Sequence, residues 1–565
     1  MKTIFRVAKT ELRTLFYSPI AWFLLIVFLV QCGIGYFSAL TYFARQQEMS
    51  GSINYLNHLT ENVFVGARGL FSSVMQKLYL YIPLLTMGLI SRETSSGTIR
   101  LLYSSPIRVR DIVLGKFLSM MIYNLLLVAI ISLFVVTGLF HIQSPDTGML
   151  LIALLGFYLL LCTYAAIGLF MSCLTTYQVV AAVSTFVMIA ILSYIGTVWQ
   201  GYDFARDLTY FLAINGRTQK MLVGLLTTKD LVYFIVIMYM FLGCSIYKLK
   251  AGMESKPALV KAGRYVAIIA SGLLIGYITS RPSLTGYYDA TANKSRTLTP
   301  QVQQIIKDFG DAPLEVTAYV NLMDSYKYLG LPEARNADLA RWESYMRFKS
   351  DIRLRYTLYY DSTMDAAYMG KVYPGKSMQQ LAAQYAKSSD LKLSLFKTPA
   401  EIRKMIDLRP EQNRYVMQLK YKDRTSFLRV YNDPQVWPGE TEVAAAFKRL
   451  QQARLPRIAF LTGNLERDIH KLGDREYKTL TNQSTFRYSL VNQGFDVDTL
   501  SAETGLIPEG ISALVIADPK TAFSPVMFAS LQQYIHKGGN LLIAGEPGKQ
   551  AILNPQQLGV QLLNG

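Results

Sequence analysis

The chain has 565 residues, 51% of them hydrophobic, and carries 57 Lys and Arg against 39 Asp and Glu, for a net charge of +18. Its four cysteines, Cys32, Cys162, Cys173 and Cys244, all precede residue 245, and only His470 and His536 follow it. This excludes a disulfide framework, a thiol nucleophile and a CxxC metal pair from the second half, and no metal site is expected.

Long apolar runs fill the stretch from Ile20 to about Tyr247, whereas no apolar run after Arg281 exceeds the length of a strand. A helix crosses a hydrocarbon core of ~30 Å with about 20 apolar residues, so the first half belongs in a bilayer and the second in water. Seven spans are expected, at 19–43, 72–91, 112–140, 149–172, 178–199, 230–247 and 265–280. The last is short, but Arg264 and Arg281 are placed to snorkel at its ends.

Before the first span, Ile4, Ala8, Leu12 and Leu15 recur at helical spacing while Arg6, Lys9 and Arg13 occupy another face. That pattern predicts a helix lying on the membrane surface and ended by Ser18-Pro19, and it leads into an uncleaved anchor rather than a secretory signal. No ionisable residue is expected deep in a span, Lys77 lying near the outer end of the second, so no proton relay is expected.

Basic residues divide unevenly between the two sides. About fourteen, among them Lys2, Arg92, Arg108, Lys116, Lys248 and Arg264, lie on the side of the amino terminus, against about six in the loops 44–71, 141–148 and 200–229. The positive-inside rule makes the amino terminus cytoplasmic and accounts for the charge without a nucleic acid. With seven spans, residues 282–565 are extracytoplasmic.

The stretch IPLLTMGLISRETSSGTIRLLYSSPIRVRDIVLGKF, residues 82–117, leaves the second span, turns at Gly97 between Arg92, Glu93 and Arg100, and is expected to start a short helix with Ser105 as N-cap and Pro106 at its first position. Glu93, Gly97, Thr98, Ser104, Ser105 and Pro106 stand where the permeases of type-2 ABC exporters carry a Glu, a Gly-Thr pair and an SSP turn, and residues 1–250 resemble that family, in particular its gliding-motility-associated type. The resemblance implies a six-span permease domain that docks a separate cytoplasmic ATPase through Arg92, Glu93, Gly97, Thr98, Arg100, Ser105 and Pro106, and that works as a homodimer or heterodimer in a bacterial cytoplasmic (inner) membrane. No catalytic residue and no cofactor is expected in this chain, ATP belonging to the partner subunit.

Residues 251–282 form a cytoplasmic linker and the seventh span. Beyond it, strand patterns near 314–320, 353–360 and 391–395 alternate with helical ones near 299–309, 333–349 and 377–388, followed by a hairpin over 414–430 and a boundary near Leu455-Pro456. RIAFLTG (457–463), ALVIAD (513–518) and NLLIAGEP (540–547) begin a second unit. Two extracytoplasmic α/β domains with largely parallel sheets are expected, 283–455 and 456–565.

Such sheets bind ligands beyond the carboxyl ends of their strands, which makes Gly463, Asn464, Glu466, Arg467, Gly545 and Glu546 the candidate ligand-facing residues. The second unit is similar to class I amidotransferase-like folds, but without a cysteine or a GxSxG elbow their usual chemistry is excluded. GKVYPGKS, 370–377, fits the phosphate-loop pattern, yet it lies on the side where ATP is scarce and no strand runs directly into it.

Through YDATANKSRTLTP (288–300), FLTGNLER (460–467) and YIHKGGNLLIAGEP (534–547), this half resembles the auxiliary subunit of the same gliding-type transporters. It departs from that family at Asn464 and Leu465, where His and Gly are favoured. Chains of that kind usually close with another span and this one stops at Gly565, so the last domain is expected to be incomplete. The resulting expectation is a fusion of permease and auxiliary domain that exports or releases an unknown substrate, the alternative being mechanotransmission to a cell-envelope partner with no cargo in the spans.

Overall fold

The computed structural model describes residues 2–50, 58–104, 106–200, 202–281, 284–363, 371–452, 455–474 and 476–545. Two units divide the chain, 1–297 and 298–565. In the first, α1 (Lys2–Tyr17) and α2 (Pro19–Ser50) meet at Ser18, as the Ser-Pro step predicts. Then come α3 (Leu59–Phe64), α4 (Leu70–Met75), α5 (Leu78–Thr86), α6 (Ser91–Ser95) and α7 (Ile99–Ser104), all short. The long helices α8 (Val109–His141), α9 (Thr147–Leu174) and α10 (Gln178–Tyr194) are followed by α11 (Asp203–Leu212), α12 (Asn215–Leu222), β1 (Leu225–Thr227), α13 (Thr228–Ala251), α14 (Ala258–Thr279) and β2 (Tyr287–Asp289).

Among the described residues, six helices are long and apolar enough to cross a membrane: Pro19–Met49, Val109–His141, Thr147–Leu174, Gln178–Thr197, Thr228–Ala251 and Ala258–Thr279. The span expected at 72–91 is not one helix. It is broken into α4 and α5, with Pro83 inside α5, where proline removes a backbone donor. The chain still passes from one end of the bundle to the other along this path. Asp146 N–H donates to Thr60 Oγ1 at one end, whereas Lys116 meets Glu93 and Tyr103 Oη donates to Leu249 O at the other.

A break at membrane depth has to be covered by protein. Gln31 of α2 donates to Ser73 O (3.1 Å) and accepts from Tyr81 Oη (2.5 Å). Ser172 of α9 accepts the N–H groups of Ile90 and Ser91, each at 2.9 Å, and donates to Met87 O at 2.9 Å. A Cβ on Gly168 would lie 2.0 Å from Thr86 Oγ1, so only glycine lets α9 approach α5 this closely.

Among the described residues of this unit, charged side chains are buried on the long helices and beside them, contrary to the expectation from the apolar runs. Lys116, counted as a cation on the cytoplasmic side, lies within α8 and is 1% exposed. Arg217, assigned to an outer loop, is buried on α12 and pairs at 3.0 Å with Asp230 of α13.

The described residues of the second unit form two four-stranded sheets. The first is built from β3 (Leu314–Asn321), β4 (Ile352–Tyr359), β5 (Val416–Tyr421) and β6 (Arg424–Arg429), in the order β4-β3-β5-β6. It is mixed rather than parallel: β3 and β4 pair in parallel, but the β5–β6 hairpin enters antiparallel to β3. The strand expected at 391–395 is a short turn, Leu393–Leu395, and only Lys397 bridges to Tyr359.

The second sheet, from β7 (Arg457–Thr462), β8 (Asp496–Ser501), β9 (Ala513–Ala517) and β10 (Leu541–Ala544), is parallel throughout, in the order β10-β9-β7-β8. Arg487 joins the segments around the two sheets. It donates to Asp433 at 2.7 and 3.0 Å, to Glu442 at 2.8 Å and to Trp437 O at 3.0 Å.

Candidate functional site

Where α1, α6 and α8 meet, Lys116 Nζ donates to Glu93 Oε1 at 2.6 Å and also to Glu11 Oε1. Arg92 Nη2 lies 3.6 Å from the other Glu11 oxygen. One ammonium thus ties α1 and the 91–104 segment to a long helix. Glu93 Oε2 is buried and has no hydrogen-bond partner among the described residues. Burial holds the Glu93 carboxyl above the usual glutamate range, against the opposing pull of Lys116.

From this anchor the chain emerges into solvent. Ser95, Ser96, Gly97, Thr98, Arg100 and Leu101 are exposed, with Leu101 at 70%. Gly97 sits at φ +74° between α6 and α7, a conformation costly for a residue with a Cβ, and Thr98 Oγ1 donates back to Glu93 O at 3.3 Å. The result is a helix–turn–helix tip on a buried ionic foot.

Pro106 does not open a helix, contrary to expectation. α7 stops at Ser104 and α8 begins at Val109 with Arg108 as N-cap, so the proline separates two helices instead of starting one. Ser105 lies outside the described residues. Arg92, Glu93, Gly97, Thr98 and Arg100 do come together at one end of the bundle. Glu11 and Lys116 complete the group, and the sequence reading assigned neither to it. The only signal for Glu11 was an acid at helical spacing within an otherwise basic helix.

Residues 5–256 match the family model described as ABC-2 family transporter protein. The chain carries an ABC-2 permease domain. Residues 455–562 match a second model, described as ABC-type uncharacterized transport system, so permease and auxiliary domain occupy one polypeptide. No curated protein and no solved structure matches the chain. The permease is thereby a membrane subunit of an ABC transporter, of a family in which hydrolysis belongs to a separate subunit.

In the second unit, the candidate ligand-facing loops lie at the carboxyl ends of β7, β9 and β10. Asn464 Nδ2 donates to Ala522 O (2.9 Å) and Thr521 Oγ1 (3.1 Å), and Lys520 N–H donates to Asn464 O at 2.8 Å. Arg467 N–H donates to Ala517 O at 2.9 Å, its guanidinium lies 3.2 Å from Asp518, and Lys520 Nζ lies 2.8 Å from the same carboxylate.

Glu466 Oε2 accepts from Asn464 N–H at 2.7 Å, and burial holds the Glu466 carboxyl above its usual range. Most of these groups join one loop to the next, whereas Glu466 Oε1 is buried with no hydrogen-bond partner among the described residues. Gly463 turns the chain at φ +125° after β7, Gly545 follows β10, and Glu546 lies outside the described residues. Asp518 and Lys520, missed from sequence, were signalled by the acid that closes ALVIAD.

The phosphate-loop look-alike has a different use. Ser377 Oγ accepts from Gln380 N–H and Gln380 Oε1 accepts from Ser377 N–H, a capping box that opens the helix Met378–Ser388. Lys376 Nζ donates to Gln384 at 3.1 Å. Gly370 lies outside the described residues.

Proposed function

We propose that this permease transmits ATP hydrolysis by a separate cytoplasmic ATPase to the export or release of a substrate at the outer face of a bacterial cytoplasmic membrane, as one half of a permease pair of the gliding-motility type. The observation that carries the reading is the ionic foot. A push on the exposed tip at 95–101 reaches α1 and α8 through Glu93, Lys116 and Glu11. Basic residues concentrate at this same end of the bundle, which supports a cytoplasmic orientation.

Arg100→Glu reverses a charge on the tip without touching the foot. In the complex purified through this chain, ATPase recovery and hydrolysis should fall about 30-fold, the scale of losing an interface arginine. Unchanged hydrolysis with normal recovery would refute docking at this tip.

The orientation has its own check. In a cysteine-free background, Ser350→Cys should react with an impermeant thiol reagent in intact spheroplasts, and Ser95→Cys only after permeabilisation. Protection of position 350 from outside reagent would place the second unit in the cytoplasm and end the export reading.

One observation favours mechanotransmission as a second reading. The residues that follow α14 are clasped to the permease loops: β2 pairs antiparallel with β1, Ala292 N–H donates to Asp146 Oδ2 at 3.0 Å while Asp146 Oδ1 caps α9, and Arg296 pairs with Glu61. Such a clasp passes displacement onward, where a slack tether would absorb it.

A further inference from the structure

An open groove of about 600 Å³ runs along α1 where Ile122 of α8 faces it. Its apolar lining comes from Ala8, Leu12 and Phe16 with the more exposed Phe5 and Ile122, and Lys9 and Arg13 line it beside them. Both cations are exposed, and neither has an acidic partner among the described residues. They lie one turn apart on the same helix, where like charges repel and an anion between them relieves the cost.

The acid of this helix does not serve them. Glu11 is buried and occupied by Lys116. Lys2 and Arg6 continue the cationic stripe at i and i+4 toward the amino terminus without lining the groove.

The level of the groove in the bilayer follows from its neighbours. Trp22 Nε1 donates to Phe16 O at 2.9 Å, and the Phe16 and Trp22 rings lie 5.6 Å apart, close to the start of α2. Tyr17 is 86% exposed. Aromatic side chains with one polar edge settle at headgroup depth. A groove at that depth, with an apolar lining and a pair of cations beside it, matches an amphiphile with a hydrocarbon tail and an anionic head.

We propose that this groove binds one anionic phospholipid, its phosphate between Lys9 and Arg13 and an acyl chain along the apolar lining. The occupant is a lipid rather than a second copy of the chain, because α1 carries the same cationic stripe in every copy and two such stripes repel. The site is independent of ATPase docking and needs only that α1 lie at the membrane surface.

The test uses the full-length chain in phosphatidylcholine nanodiscs doped with phosphatidylglycerol, with native mass spectrometry counting the lipids retained on release. The wild type should retain phosphatidylglycerol in preference to phosphatidylcholine. Lys9→Ala with Arg13→Ala should lower that retention about 30-fold, each basic residue near an anionic surface contributing about fivefold. The charge-preserving pair Lys9→Arg with Arg13→Lys should keep it.

Lys2→Ala with Arg6→Ala removes the same charge from the same stripe outside the groove, and most of the retention should survive. Equal loss in that pair would mean diffuse attraction to the surface and would overturn the site. So would equal retention of both lipids by the wild type, or a disulfide between two copies through Leu12→Cys.

Discussion

Lys116→Ala should destabilise the permease by about 3–5 kcal/mol, the cost of leaving buried charge without its partner. Two carboxylates converge on this one ammonium and the lysine is 1% exposed, so water cannot replace it. Glu93→Gln is the informative contrast. It leaves Lys116 paired one-to-one with Glu11 and removes a carboxylate that burial already disfavours, so its cost should stay below about 1 kcal/mol.

Acidification gives an independent readout. A carboxyl whose pKa in the folded state lies above its unfolded value favours the fold once protonated, and that gain is lost as pH rises through the folded value. Glu93 shifts in this direction, and removal of Lys116 takes away the group that opposed the shift. The Lys116→Ala defect should therefore shrink as pH falls toward the ordinary glutamate value of ~4.3. Melting of the purified variants across pH measures both effects. A Lys116→Ala melt no lower than that of Glu93→Gln would remove the ionic foot as a structural element.

The spans were readable because a bilayer asks little more of a segment than length and apolarity, which is why α2, α8, α9, α10, α13 and α14 follow the apolar runs. The broken crossing was not. Leu78, Ile82 and Leu85 give 72–91 the composition of a plain span, and what stabilises the interruption comes from Gln31 and Ser172, distant in sequence. The burial of Lys116 was hidden for a similar reason. Counting charges beside apolar runs assigns a lysine to a side of the membrane and cannot see two carboxylates arriving from α1 and α6.

The tip itself was half legible. Glu93, Gly97 and Thr98 stood out by pattern, but Ser104-Ser105-Pro106 reads equally as a helix start or a helix stop, and the structure uses Pro106 to separate α7 from α8. In the second unit, β7, β9 and β10 announced themselves as apolar runs. β8, DVDTLS, is a polar edge strand whose pairing with β7 supplies what its composition does not. The mixed character of the first sheet followed from the β5–β6 hairpin, whose presence was expected but whose partner strand was not readable.

Asp230→Ala should cost about 3–5 kcal/mol at the opposite end of the bundle, since it strands the Arg217 guanidinium. Asp230 is 1% exposed and accepts from Arg217 Nη1 at 3.0 Å and from Thr227 Oγ1 at 2.7 Å. Arg217 also stacks 4.3 Å over the Tyr233 ring, and Tyr233 Oη donates to Leu212 O at 2.9 Å. This one pair therefore locks α12 to the start of α13, beside the β1 strand that clasps the residues after α14. Replacing both members by apolar residues, Asp230→Ala with Arg217→Leu, removes the stranded charge and should recover most of the loss, because buried ion pairs exchanged for apolar packing are often neutral. Melting of the two single variants and the double variant completes the cycle. A double variant as unstable as Asp230→Ala alone would mean that the aspartate acts mainly by holding the hydroxyl of Thr227, the N-cap of α13, and the ionic lock between α12 and α13 would have to be abandoned.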